Sequence, residues 1–114
     1  DLPDVYAAAD LKVITSDYES FCFAALEAMA TALPLVVTDT DWVPKLIGRG
    51  EGGLVVKRND ANELAEALAS LMDDAPRRAA MGRRNRETVV REYQWKNSAA
   101  RLAGLYRDLL ERRA

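Results

Sequence analysis

Two glutamates eight positions apart, Glu19 and Glu27, are the residues whose type and spacing point most directly to chemistry. Glu27 is the one charged residue between Phe21 and Leu33. A helix that is apolar on all sides is normally buried, and a buried carboxylate is unfavourable unless hydrogen bonds satisfy it. The pattern therefore predicts a buried Glu27 whose hydrogen bonding is completed by another group.

The spacing also limits how the two glutamates can meet. In one straight helix, eight positions correspond to about 80° beyond two full turns, so the carboxylates would not share a face. They can converge if Glu19 lies in a loop and Glu27 in the helix that follows it. Such a loop, after a strand ending near Thr15, would lie where open α/β sheets bind ligands. The N–H groups at the helix start suit a phosphate, so the pattern indicates an anionic, hydroxyl-rich ligand.

Purely structural explanations of both residues stay open at this point. The segment Ser16–Glu19 matches a capping box, which would give Glu19 a role at the helix start alone. Glu27 could instead pair with an arginine or lysine of the core, such as Lys12 or Lys45.

Three short apolar runs surround this segment and define the fold class. They are Leu11–Thr15, Leu35–Thr38 and Gly53–Val56, and residues of helical character separate them. Short apolar strands that alternate with helices are typical of parallel βαβ units covered on both faces. The sequence predicts an α/β fold with a Rossmann-like parallel sheet, and Val43–Ile47 has room for one or two helical turns.

The second half, from about residue 60, is predicted to be helical. Asp60 and Glu63 have the chemistry of a helix N-cap and capping box, and Pro76 suits the start of a second helix that reaches about Glu92. A last helix, roughly Lys96–Arg112, is expected to bury Leu102, Leu105, Tyr106 and Leu109. Three strands make half of a doubly wound sheet, so an open edge could pair with a second copy of the chain.

Composition narrows the function classes. The 114 residues predict one domain, residues 1–114, without a membrane span or a signal peptide. The single cysteine, Cys22, fits a reducing, cytoplasmic location. Histidine is absent from the sequence, which argues against Cys22 as an activated nucleophile. No cofactor is expected, and no cluster with the spacing of metal ligands is evident.

A basic cluster in the second half raises the alternative of nucleic-acid binding. No aromatic residues interleave with it, and Glu87 and Glu92 do, so a solvated helix face is favoured over a nucleic-acid partner. The cluster comprises Arg77, Arg78, Arg83, Arg84, Arg86 and Arg91.

Several segments in order resemble one enzyme family. Val5–Asp10, Ser16–Glu19, Ala25–Ala30 and Pro34–Val37 are similar to the donor-binding half of GT-B glycosyltransferases, most closely the retaining family 4 type. The resemblance continues through Val43-Pro44, Gly50–Val55, Asp60 with Leu64-Ala65, Met81, and Trp95 with Tyr106.

The resemblance implies a reaction and a set of roles. In such enzymes a sugar passes from a nucleotide diphosphate sugar to an acceptor hydroxyl. The residue matching Glu19 contacts the donor sugar and is the candidate catalytic residue, and the one matching Glu27 binds the ribose hydroxyls. The backbone matching Ser20, Phe21, Cys22 and Phe23 turns its N–H groups toward the diphosphate.

The sequence also departs from the family pattern. Glycine is usual at the positions of Ser20 and Cys22, where a bare backbone approaches the ligand. Glycine is also common at Ala32, a glycine pair at Asp41-Trp42, and glutamate at Lys45. The N-terminal acceptor-binding domain and the first half of the donor domain are not in this sequence, so we expect the fragment to be inactive alone.

Two rival interpretations follow from these departures. The chain could be a degenerate or engineered Rossmann-like module without catalysis, which self-associates through its open sheet edge. A nucleotide-binding module of the flavodoxin type is less favoured, because the chain lacks a phosphate loop rich in glycine, serine and threonine.

Overall fold

The computed structural model describes residues 2–16, 23–92, 103–104 and 107–112. Strands and helices alternate in the first half and helices fill the second, as the sequence predicts. The elements are α1 (Leu2–Ala8), β1 (Lys12–Ile14), α2 (Phe23–Ala30), β2 (Leu35–Thr38), α3 (Val43–Ile47), β3 (Gly53–Val56), α4 (Ala61–Met72) and α5 (Ala75–Glu92).

The three strands form one parallel sheet in the order β1-β2-β3. Val36 of β2 aligns with Val13 on one side and with Leu54 on the other. This sheet confirms the predicted α/β class with a Rossmann-like parallel sheet. Within the described part of the chain, the outer edges of β1 and β3 have no strand partner, and self-association through such an edge stays a prediction.

The central strand β2 is buried on both faces, because helices cover both. Leu35 and Val37 point into a core shared with α2 and α3, whereas Val36 points into a second core with Leu71 of α4 and Met81 of α5. Full burial of a side chain of this size is worth about 1.5–3 kcal/mol. The two cores therefore fix the orientation of the sheet between its helices.

A left-handed residue ends α2. The N–H of Leu33 donates to Ala28 O at 3.1 Å, and the N–H of Ala32 donates to Met29 O at 3.0 Å. Ala32 itself has φ of 61°. These bonds make a Schellman motif, in which glycine is the usual left-handed residue.

Arginines of α5 bind the last turns of the other helices. Arg78 Nη1 donates to Leu71 O of α4 at 2.6 Å. Arg84 Nη1 donates to Leu46 O of α3 at 3.2 Å, and Arg86 Nη1 donates to Ala30 O of α2 at 2.7 Å. The last carbonyls of a helix lack intrahelical partners and carry the negative end of its dipole. Several arginines of the predicted basic cluster therefore cap the ends of other helices in the same chain.

The predicted last helix is only partly described. Residues 103–104 and 107–112 are helical, whereas Leu102, Leu105 and Tyr106 lie outside the described residues. Leu109 was expected to be buried, but it is 47% exposed. Both faces of the sheet are already covered by α2, α3 and α4 with α5, so this segment finds no open sheet face to cover. Over the described part of the chain, no helix combines the length and apolar character needed to cross a membrane.

Candidate functional site

The carboxyl ends of the three strands meet at one edge of the sheet, which is the predicted location of the site. β1 is followed by Thr15 and Ser16, and β2 ends at Thr38. Thr38 is only 6% exposed, and its hydroxyl donates to Ser16 O at 2.6 Å. This hydrogen bond joins the end of β2 to the backbone just before residues 17–22.

Most of the predicted site residues fall within residues 17–22. Glu19, Ser20, Phe21 and Cys22 lie outside the described residues, as does the Glu19 end of the alternative capping box. Their proposed contacts therefore stay predictions. The two remaining members of the predicted site, Phe23 and Glu27, lie in α2 and are described.

The structure corrects the expectation that Glu27 is buried. Glu27 is exposed, and Phe23 is 70% exposed. The two are four positions apart and so share one face of α2. The opposite face carries the buried Ala25, Ala28 and Met29. The all-round burial was wrong because α2 owes much of its apolar character to alanine, whose small side chain is also tolerated at exposed positions.

The lysine pairings considered for Glu27 are not present in the structure. Lys12 Nζ lies 5.5 Å from the centroid of the Tyr6 ring, and Lys45 is an exposed surface residue. Among the described residues, the Glu27 carboxylate makes no hydrogen bond or ion pair. An ionised carboxylate is purely a hydrogen-bond acceptor, so an accessible one at this position can receive hydroxyl groups of a ligand.

A cavity of about 430 Å³ opens at the same edge of the sheet, on the side of α4. Sequence reasoning did not find it. Its volume falls within the range of small-molecule sites. One signal in the sequence was Asn59, because asparagine is common in turns and tolerates the left-handed conformation. Asn59 has φ of 59° and lines the cavity. The lining residues are Thr15, Thr38, Val56, Lys57, Asn59, Asp60, Ala61 and Leu64.

Among the departures from the family pattern, Trp42 precedes α3 and Lys45 lies within it. Trp42 packs against the core formed with α2 and α3. Asp39, just after β2, forms an ion pair with Arg49, with 2.8 Å between Asp39 Oδ1 and Arg49 Nη2. Both side chains are largely exposed, and such surface pairs contribute little to stability.

Comparison with known proteins agrees with this geometry. The family described as "Glycosyl transferases group 1" matches residues 1–88. The chain belongs to this family. Its parallel sheet and helices have structural neighbours in the GT-B glycosyltransferase fold, which confirms the coarser part of the resemblance.

Individual relatives cover nearly the whole chain. It is 38% identical over 112 residues to D-inositol 3-phosphate glycosyltransferase of Corynebacterium kroppenstedtii, covering 98% of this chain and 25% of that protein. Sucrose-phosphate synthase from Thermosynechococcus elongatus superposes with a TM-score of 0.88 at 33% identity, covering 94% of this chain and 27% of that one.

A more distant solved structure shares the fold. Anabaena HepE, crystallised in complex with UDP, superposes with a TM-score of 0.89 at 21% identity, covering 94% of this chain and 30% of that one. The chain spans about a quarter of the length of the curated relatives it matches.

Proposed function

We propose that this chain is the donor-binding part of a retaining glycosyltransferase of the family 4 type, and that it binds a nucleotide diphosphate sugar. The observation that carries the proposal is the exposed face of α2, where Glu27 lies one turn from the helix start at the carboxyl edge of the sheet. Membership in the glycosyl transferases group 1 family supports it.

In this proposal Glu27 accepts hydrogen bonds from the two ribose hydroxyls of the donor. A carboxylate can accept two such bonds at once, and bonds to a charged acceptor are stronger than neutral ones. The exposed Phe23 lies on the same face of α2, so the nucleoside would reach Glu27 by passing over its ring. The accessibility of Glu27 serves this role better than the burial predicted from the sequence.

The donor diphosphate would lie at the start of α2. The backbone N–H groups of Ser20, Phe21, Cys22 and Phe23 would point toward it, together with the positive end of the helix dipole. Glu19 would contact the hydroxyls of the transferred sugar. The protein would then act by positioning the donor and stabilising the charge of the departing diphosphate.

The acceptor would be bound by a different part of the parent protein. Two relatives with similar sequence identity to this chain have names that indicate different products, which are an inositol phosphate glycoside and sucrose phosphate. Shared sequence in this portion fits a common donor-binding role rather than a common acceptor. We propose that the parent also contains an N-terminal acceptor-binding domain and that this chain is inactive without it.

Calorimetric titration with UDP, GDP and ADP, and with their sugars, tests donor binding by the chain. We expect one nucleotide to bind, and Glu27→Gln to weaken that binding by about tenfold or more, the loss of hydrogen bonds to a charged acceptor. Glu87→Gln, which removes an exposed carboxylate from α5, is the matched control and should bind as the unmodified chain does.

Two results would overturn the proposal. One is the absence of heat with every nucleotide and nucleotide sugar, which favours a module without donor binding. The other is equal affinity of the Glu27→Gln and Glu87→Gln variants, which would place the nucleotide elsewhere on the molecule.

A further inference from the structure

The last turn of α2 and the connection to β2, residues 30–33, are held by one face of α5. We call residues 30–33 the α2–β2 turn. Gly82, Asn85 and Arg86 are spaced at three and four positions, so they share this face of α5. Each of them lies against a backbone carbonyl of the turn.

The contacts differ in kind but converge on the same turn. Arg86 Nη1 donates to Ala30 O at 2.7 Å, and Asn85 Nδ2 donates to Leu33 O at 2.8 Å. A Cβ placed on Gly82 would stand 2.0 Å from Ala32 O. Such a distance is far inside van der Waals contact, so only glycine allows α5 to approach the turn this closely.

The charge of Arg86 answers a need of α2 itself. α2 has no basic residue in its last turn and no acidic residue in its first. Its final carbonyls nevertheless require partners, and a cation is favourable at this end of the helix dipole. Arg86 of α5 supplies both a hydrogen-bond donor and a positive charge at this end of α2.

We propose that Arg86 is a positioning residue for the donor site: by holding the end of α2, it sets the orientation in which Phe23 and Glu27 face the ligand. This inference rests on the proposed function. α2 has eight residues, roughly 12 Å at the usual rise per residue, so a helix this short transmits a tilt at its last turn directly to its first. Glu27 binds two hydroxyls at once in this account, and such a contact is sensitive to small changes in orientation.

A matched pair of variants separates positioning from general stability. Arg86→Ala removes the cap from α2, whereas Arg78→Ala removes an equivalent arginine cap from the end of α4, where Arg78 Nη1 also donates to Met72 O at 2.7 Å. Arg86→Lys keeps the charge and a donor. All three are compared at a temperature where circular dichroism shows them fully folded.

Two measurements are made on each variant. The first is the set of backbone amide chemical shifts of residues 23–27 in the ligand-free chain. The second is the Kd for UDP, ADP or GDP, whichever the unmodified chain binds most tightly. We expect Arg86→Ala to move these amide shifts and raise Kd by roughly two- to fivefold, in line with the modest energy of a charged group at a helix end. Arg78→Ala should do neither, and Arg86→Lys should recover most of the affinity.

Equal effects of Arg86→Ala and Arg78→Ala on Kd would overturn the inference, because a structural cap alone would then explain the loss. Unchanged amide shifts at residues 23–27 in Arg86→Ala would overturn it as well. If the unmodified chain binds no nucleotide, the proposed function fails, while the amide shifts still decide whether Arg86 orients the start of α2.

Discussion

At the scale of single residues, Ala32 shows how a departure from a family pattern acquires a physical meaning. The family resemblance implies that glycine is common at this position, and the structure gives a physical reason, because Ala32 has φ of 61° just after α2. Ala32 lies in the α2–β2 turn, at the opposite end of α2 from Phe23. We therefore expect this departure to affect stability and not the diphosphate contacts proposed for the start of α2.

Replacing Ala32 with glycine should stabilise the chain. A non-glycine residue in the left-handed region is disfavoured by roughly 1–2 kcal/mol, while glycine costs about 0.4–1 kcal/mol in the unfolded state. The free energy of unfolding in urea should then rise by about 0.5–1 kcal/mol. The control Ala79→Gly, at an exposed position inside α5, should lower it by a similar amount. A destabilised Ala32→Gly would contradict the Schellman geometry.

Glu27 shows what the sequence can and cannot predict about a site residue. Its position in a helix after a strand was predicted from the pattern, and the structure has it there. Its exposure was not, because the burial of each face depends on which side packs against the sheet. Ala25, Ala28 and Met29 take that side, and a helix rich in alanine gives little indication of its rotation.

At the scale of elements, the N-cap of α4 was predicted, but the hydrogen-bond partner of the Glu63 carboxylate was not. Asp60 Oδ1 accepts from the N–H of Glu63 at 2.9 Å, as an N-cap should. In a capping box, the Glu63 carboxylate would accept from the N–H of Asp60. Instead, Glu63 Oε2 accepts from the N–H of Lys57 at 3.1 Å. Glu63 thus joins α4 to the end of β3, next to the cavity at the carboxyl edge.

Removing the cap of α4 should lower stability. Asp60→Ala leaves the Glu63 N–H without its side-chain partner and should reduce the free energy of unfolding by about 1 kcal/mol. Asp60→Asn provides an equivalent acceptor and should remain close to the unmodified chain in the same urea titration. If the asparagine variant loses as much as the alanine variant, the contribution of Asp60 is its charge and not its capping hydrogen bond.

The bounds of α5 were predicted from the sequence, but its contacts with the other elements were not. α5 begins at Ala75, one residue before the predicted start at Pro76, and ends at Glu92, as predicted. Two residues inside α5 nevertheless indicated that this helix makes close contacts. Gly82 and Asn85 both have low helix propensity. A residue of low propensity inside a helix often makes a close packing contact there. Both of them face backbone carbonyls.

At the scale of the whole molecule, Asn85 joins segments that are far apart in the chain. Its side chain is fully buried. Asn85 Nδ2 donates to Leu33 O at 2.8 Å and to Gly52 O at 2.7 Å, just before β2 and β3 respectively. The alternation of strands and helices predicted the layers of the fold. This link could not be predicted, because its acceptors are backbone carbonyls, which every residue carries.

Asn85→Ala should therefore destabilise the molecule as a whole. Leu33 O loses its donor, at about 1–3 kcal/mol for an unsatisfied buried group, whereas Gly52 O keeps the backbone N–H of Leu35 at 3.2 Å. We therefore expect the free energy of unfolding to fall by about 2 kcal/mol, whereas Asn62→Ala on the exposed face of α4 should change it by less than about 0.5 kcal/mol. Urea unfolding should remain a single transition at a lower midpoint with an unchanged slope, since both cores depend on the placement of β2 and β3. A separate early transition, in which α5 melts while the sheet persists, would show that Asn85 anchors only its own helix.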